Sequence, residues 1–232
     1  MSSPAPSPSD HGDEVQPSQI VFVIDHDPAT GKLVRGILPG HNLTLKVYGS
    51  GREFFAAYRG DERGCVVLEA RLFDMGGLQM QRRLAEWNSQ LPMVYVTSGL
   101  NASIAVQLMR GGAIHVLEKP LRSVELFNAI HEALAIDQRN RRQAANTHQV
   151  RESLARLTQK ERQLVSLIPT AKSSKAIALE LGVGPRAIAL RCRRIKEKLG
   201  LKSAGELMRF AVIARHECGD YLDLAELNAD LA

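Results

Sequence analysis

The chain has 232 residues, 44% of them hydrophobic, a formal net charge of +5 and a pI near 9.3. That leaves room for two domains with real cores and hints at an acidic partner. Cys65, Cys192 and Cys218 are too few and too scattered for a disulfide scaffold or a metal-ligand set, and read as a reducing, cytoplasmic compartment. No apolar run approaches the ~20 residues of a membrane span, and the N-terminus lacks the basic start and apolar stretch of a secretory signal.

In chain order, residues 1–18 set Pro4, Pro6, Pro8 and Pro17 among Ser, Asp and Glu, a composition that cannot bury enough surface to fold and predicts a disordered tail. IVFVI at 20–24 is a continuous β-branched run, the mark of a buried parallel strand. Helical spacing follows over 30–38, strand alternation over 43–48 and helical spacing over 50–58. CVVLE at 65–69 predicts a third strand, then a Gly-rich turn and a helix near 78–87. PMVYVT at 92–97 predicts a fourth, with a helix over 103–110. AIHVLE at 113–118 predicts a fifth, with a helix over 123–136. Five alternations of strand and helix argue for an α/β fold, a doubly wound five-stranded parallel sheet. In such sheets function gathers at the carboxyl ends of the strands.

Those ends carry Asp25, Glu69, Thr97 and Lys119, the last followed by Pro120. Carboxylates, a hydroxyl and an ammonium there can bind a phosphoryl group or a cation. The segments VIDHDP, VVLEARLFDMGG, VYVTSG and GAIHVLEKP resemble the receiver domain of bacterial two-component response regulators, over residues 19–137. The resemblance implies a flavodoxin-like fold and a cis Lys119–Pro120 bond, and Thr97 and Lys119 match the family pattern. Other positions depart from it. The family's phosphoacceptor aspartate is Glu69 here. Its cation-holding pair of acids is Asp25 and His26, with Asp27 one place late. Its switching aromatic on the fifth strand is Val116.

Phosphotransfer needs a carboxylate at a fixed reach and a hard cation to neutralise charge. Glu adds a methylene, and His is a poor ligand for Mg²⁺, which prefers oxygen. The expectation is an atypical receiver without Asp phosphorylation, with Mg²⁺ binding in doubt and no cofactor. Two readings of Glu69 stay open: a mimic of phosphoaspartate that meets Lys119 and Thr97, or a tolerated replacement in a site that has lost its chemistry. In a conventional phospho-regulated factor, Asp27 or Asp74 would substitute as acceptor.

Residues 138–153, QRNRRQAANTHQVRES, are polar and helix-forming without an apolar period, which predicts a linker or an extension of the last receiver helix. Arg139, Arg141 and Arg142 read as a solvated face. From 154 on, Thr158 with Glu161 forms a capping box that starts a helix at Gln159, which Pro169 stops. A second helix spans 174–181, with Ile177, Ala178 and Leu181 inward. Gly182 and Gly184 bracket a tight turn into PRAIALRCRRIKEKL, which Gly200 ends. There Ile188, Cys192, Ile195 and Leu199 form one apolar face, while Arg186, Arg191, Arg193, Arg194, Lys196 and Lys198 crowd the others. A fourth helix spans 204–212.

Between Arg151 and Arg215, fifteen Lys and Arg oppose five Asp and Glu, a net charge of +10 that leaves −5 to the rest. One end of the chain is therefore suited to a polyanion. The acidic stretch 216–232, with Leu224, Leu227 and Leu231 at helical spacing, reads as a frayed tail or as a segment that docks on the basic module.

Helix, Gly turn and basic helix is helix-turn-helix spacing. The run from LTQKERQLVSLI through GPRAIALRCRRIKEKLGL to ELMRFA resembles the DNA-binding domain of the LuxR/FixJ-type regulators, over residues 154–215. The resemblance puts Ala189, Leu190 and Arg193 towards the bases. It makes Lys175, Arg186, Arg191 and Lys196 phosphate contacts, with Arg194 on the same basic surface. It also implies a last helix that serves dimerisation. Where the family often has Thr, a polar residue and His, this chain has Ala187, Ala189 and Arg191, so base readout rests on Arg193. Together the two resemblances imply a DNA-binding transcriptional regulator, not an enzyme. Its partners would be double-stranded DNA, a second copy of itself, and a sensor kinase or other regulatory protein, with no membrane. The alternative is a protein-interaction adaptor with weakened DNA binding.

Overall fold

The computed structural model describes residues 19–170 and 173–227, with side chains up to Gly219; the predicted tail at 1–18 and residues 228–232 of the acidic stretch lie outside what it describes. The chain divides into two compact units, one ending at Asn140 and the other beginning at Arg141.

The first unit alternates β1 (Gln19–Ile24), α1 (Pro28–Ile37), β2 (Leu43–Tyr48), α2 (Gly51–Ala57), β3 (Gly64–Glu69), α3 (Gly77–Glu86), β4 (Met93–Thr97), α4 (Ala102–Arg110), β5 (Ala113–Glu118) and the start of α5 (Ser123–Ala155). The five strands are parallel, in the order β2-β1-β3-β4-β5. Because side chains alternate across a strand, each strand feeds two cores. Phe22, Ile24, Val66, Leu68 and Tyr95 pack on one face with Phe54, Met80 and Leu84 of α2 and α3. Val21, Val23, Cys65, Val67, Val94 and Val96 pack on the other with Val34 of α1 and Leu126, Ala129 and Ile130 of α5.

One register position requires glycine. Gly64 has φ 143°, and a Cβ there would fall 1.7 Å from the Ile20 carbonyl oxygen. Its N–H donates to the buried carboxylate of Asp137, 3.1 Å away, which ties the start of β3 to α5.

The second unit contains the end of α5, then α6 (Gln159–Leu167), a 3₁₀ turn over Ile168–Thr170, α7 (Ser174–Glu180), α8 (Pro185–Leu199) and α9 (Ala204–Leu227). The 3₁₀ turn holds Pro169, which cannot donate the next helical hydrogen bond. The Thr158–Glu161 capping box is formed in both directions. Gly182, at φ 62°, makes the tight turn from α7 towards α8.

One stretch narrows the sequence reading and another departs from it. Residues 138–153, expected as a linker or an extension of the last receiver helix, lie inside α5, which is the second of those readings. Gln, Arg and Ala there are good helix formers and no Gly or Pro interrupts them, while Val150 and Leu154 join the second core. The last helix runs past 212. Ala214 and Cys218 are buried in that core, and non-helical backbone at Cys218 (φ −139°) kinks α9. Thr147 Oγ1 donates to Glu217 at 2.7 Å, so Glu217 is part of the folded unit rather than of a tail.

Candidate functional site

The receiver pocket is assembled at the carboxyl ends of β1, β3 and β5. β1 delivers Asp25, β3 delivers Glu69 and β5 leads into Lys119, whose bond to Pro120 is cis. Lys119 Nζ lies 2.6 Å from Asp25 Oδ2 and 2.8 Å from Glu69 Oε2. Burial works to lower the Lys119 pKa, but the hydrogen bonds to Asp25 and Glu69 outweigh it and hold the ammonium above its ordinary value. Asp25 and Glu69 are only 3% and 4% exposed.

Their remaining oxygens are also engaged. Asp25 accepts from Thr30 Oγ1 at 2.6 Å and from the Asp27 N–H at 2.8 Å, and Glu69 accepts from the Arg71 N–H at 3.2 Å. Each buried charge is thus paired, which is what makes its burial tolerable. A crevice of about 600 Å³ opens beside the cluster, bordered among others by Asp27, Thr30, Ser98 and Lys119.

The remaining residues expected here lie at its rim or are engaged by other groups. His26 Nδ1 lies 3.8 Å from Asp25 Oδ1, and its ring packs at a tilt against Phe73, centroids 4.4 Å apart, with Phe73 88% exposed. Asp27 caps α1, accepting from the Ala29 N–H at 2.9 Å. Asp74 accepts from the N–H groups of Gly51 and Arg52 and holds the start of α2. Thr97 is buried, but its hydroxyl donates to the Ser98 carbonyl at 3.4 Å and does not meet Glu69. Among the described residues, no three His, Cys, Asp and Glu side chains converge as a metal-ligand set.

At the Val116 position the sheet places Tyr95 alongside, on β4; it is fully buried, its hydroxyl donating to the Gly77 carbonyl at 3.0 Å. Sequence reasoning missed Thr30 and Arg71. Thr30 was findable, since a residue five after Asp25 falls in the first turn of α1. Arg71, which also donates to the Gly99 carbonyl at 3.0 Å, had no signal.

The second candidate surface is α8. Ile188 and Ile195 are buried, and Cys192 and Leu199 pack against the same core. This apolar stripe fixes which faces of the helix look outward, and burial of each isoleucine contributes roughly 1.5–3 kcal/mol. Arg186, Ala189, Leu190, Arg193 and Arg194 are exposed, as is Lys175 on α7, while Arg191 and Lys196 are half-buried.

Two of the cations brace the helix. Lys198 Nζ lies 2.6 Å from Glu161, and Arg191 donates to the Lys160 carbonyl at 3.2 Å. Burial would raise the Glu161 pKa, but Lys198 and the Thr158 cap hold it below the usual carboxylate range. A groove of about 430 Å³ between α6 and α8 is bordered by Lys160, Arg191, Arg194 and Lys198. The outward faces are a convex, basic surface of the size that a DNA major groove admits.

Comparison with known proteins joins the two surfaces. Residues 21–131 match the response regulator receiver domain model, and residues 155–211 match that of the bacterial regulatory proteins of the luxR family. The chain is 31% identical over 200 residues to the transcriptional regulatory protein TdiR of Thauera aromatica, covering 86% of this chain and 88% of that one. It is 28% identical over 194 residues to the transcriptional regulatory protein FixJ of Azorhizobium caulinodans, covering 84% and 92%. A solved structure of the response regulator StyR matches with a TM-score of 0.70 and 26% identity over 84% of this chain and 98% of that one. Among the described residues no helix is long and apolar enough to cross a membrane. The chain belongs to the LuxR/FixJ-type response regulators, DNA-binding transcriptional regulators that join a receiver domain to a LuxR-type helix-turn-helix.

Proposed function

We propose that this regulator binds DNA without phosphorylation of its receiver, because Glu69 permanently engages the ammonium that a phosphoryl group would otherwise meet. The observation that carries the reading is the 2.8 Å pair between Glu69 and Lys119, with Asp25 on the same ammonium at 2.6 Å. The extra methylene of Glu69 displaces its oxygens from an acceptor's place. The donor set does not fit a hard divalent cation. Asp25 already uses both oxygens, and the next side chain is an imidazole turned onto Phe73. Asp27 and Asp74, the substitute acceptors, are spent on helix starts. Mimicry of phosphoaspartate by Glu69 rests on Lys119 alone, since the Thr97 hydroxyl is turned to Ser98.

On the DNA side, Ala189, Leu190 and Arg193 face the bases, Ala and Leu offering methyl contacts to thymine and Arg193 the hydrogen bonds. Lys175, Arg186, Arg191, Arg194 and Lys196 neutralise phosphates. Two copies associate through α9, where Met208, Val212 and Ile213 are exposed; pairing raises the effective concentration of the second helix-turn-helix. A sensor kinase or another regulatory protein meets the receiver, and the protein works in the cytoplasm.

The test is capture of sheared genomic fragments by the full chain, with and without a small phosphodonor and Mg²⁺. A discrete set of fragments bound equally in both conditions is expected; a set that appears only with the phosphodonor overturns the reading.

A further inference from the structure

We infer that Glu197 is a positioning residue that makes Arg193 a reader of guanine. The inference rests on the reading of α8 as the helix whose Arg193 faces the bases. Arg193 Nε lies 2.8 Å from Glu197 Oε1, one helical turn on. Both side chains are well exposed, 75% and 59%, so the pair contributes little to the fold: exposed ion pairs are worth roughly 0–1 kcal/mol.

The pair differs from its neighbours. Lys198 is held by Glu161 and Arg191 by the Lys160 carbonyl, both on α6, and these contacts brace α8 against its own domain. Arg193 is held instead by the single acid of its own helix. The contact uses Nε, and among the described residues no acceptor engages the two outer Nη groups.

A guanidinium is planar, with five donors in a rigid fork. Anchored at Nε, it keeps the end-on Nη pair for a ligand and has lost part of its rotamer freedom beforehand, so less is lost on binding. In the major groove only guanine presents two adjacent acceptors, O6 and N7; adenine pairs an acceptor with a donor. The neighbouring Ala189 and Leu190 make no hydrogen bonds, so guanine selection falls to this fork.

The experiment selects a randomised duplex library with the full chain and with Arg193→Ala, Glu197→Ala and Glu197→Gln. The preferred duplex is then titrated with the selected guanine replaced by 7-deazaguanine or by inosine. A good bidentate pair discriminates roughly 5- to 150-fold, so Arg193→Ala should abolish selection at one guanine per half-site. Glu197→Ala should weaken that selection by roughly two- to fivefold, the scale of an exposed ion pair. Glu197→Gln, which keeps an acceptor for Nε, should restore most of it.

Both Glu197 variants should bind random DNA slightly more tightly, because each removes one negative charge near phosphates. That gain separates a charge effect from positioning. 7-Deazaguanine, which lacks N7, should bind like the mismatched base, and inosine, which keeps O6 and N7, like guanine. Guanine selection unchanged in Glu197→Ala overturns the inference, as does loss of a cytosine position instead, which would make Glu197 a direct reader. Equal weakening of all sequences by Arg193→Ala overturns the underlying reading of Arg193.

Discussion

In the receiver, Lys119 is enclosed by two buried carboxylates, and each carboxylate also takes a further donor. On α8, six cations look outward or brace the helix, with one acid among them. The same kinds of charge thus sit in opposite surroundings. In the pocket the charges are partnered from within the protein, one ammonium between two carboxylates, and a ligand would have to displace a partner to enter. On the helix the charge is unbalanced, and the missing partner is a polyanion. A low dielectric makes the first arrangement sensitive to loss of any member, while solvent and salt make each charge of the second individually weak.

The largest expected effect breaks the closed cluster. Lys119→Ala leaves Asp25 and Glu69 buried without their cation and should cost the receiver about 3–5 kcal/mol, read from urea unfolding. Glu69→Gln keeps the shape and removes one charge, at roughly 1–3 kcal/mol. The two should be non-additive because they act on one ion cluster. A Lys119→Ala receiver as stable as wild type would mean that the pocket is open after all.

A smaller effect probes the open surface. Lys196→Ala should leave folding unchanged, weaken binding to all DNA sequences about equally and reduce the slope of log affinity against log salt by about one unit. A change in sequence preference would instead place Lys196 at a base.

The smallest concerns a second closed group. His131 packs against Phe127, ring centroids 4.1 Å apart, and against His41 at 4.8 Å, and its Nε2 is buried without a partner. Burial first and the neighbouring His41 second lower its pKa. The unfolded chain therefore takes up the proton before the folded one does. Stability from this group is present above the ordinary histidine value of about 6.5 and is lost as pH falls through the lowered one. Melting temperatures at pH 7.5 and 5.5 should diverge less in His131→Phe than in wild type; equal divergence would remove His131 as the cause.

The strands were legible because continuous β-branched runs such as IVFVI and CVVLE are buried on both faces. So was the inward stripe of α8, through Ile188 and Ile195. The pocket was legible as a set of strand ends, which brought Asp25, Glu69 and Lys119 together, but not in its hydrogen bonds. Nothing in the spacing says that the Thr97 hydroxyl turns to Ser98, that Asp74 holds the start of α2 or that Phe73 packs against His26, because each depends on loop geometry set by distant contacts. The continuity of α5 was left open by the sequence for a different reason. Its middle, residues 139–149, is mostly exposed, and a helix with no core to face leaves no apolar period to read.

Intact mass decides whether Glu69 and Lys119 close the receiver. The full chain is incubated with a small phosphodonor and Mg²⁺ and titrated against its DNA in parallel. An unchanged mass and superimposable titrations are expected; a single phosphoryl adduct on Asp25, Asp27 or Asp74, with a shifted DNA affinity, would show that the pocket is open to phosphotransfer.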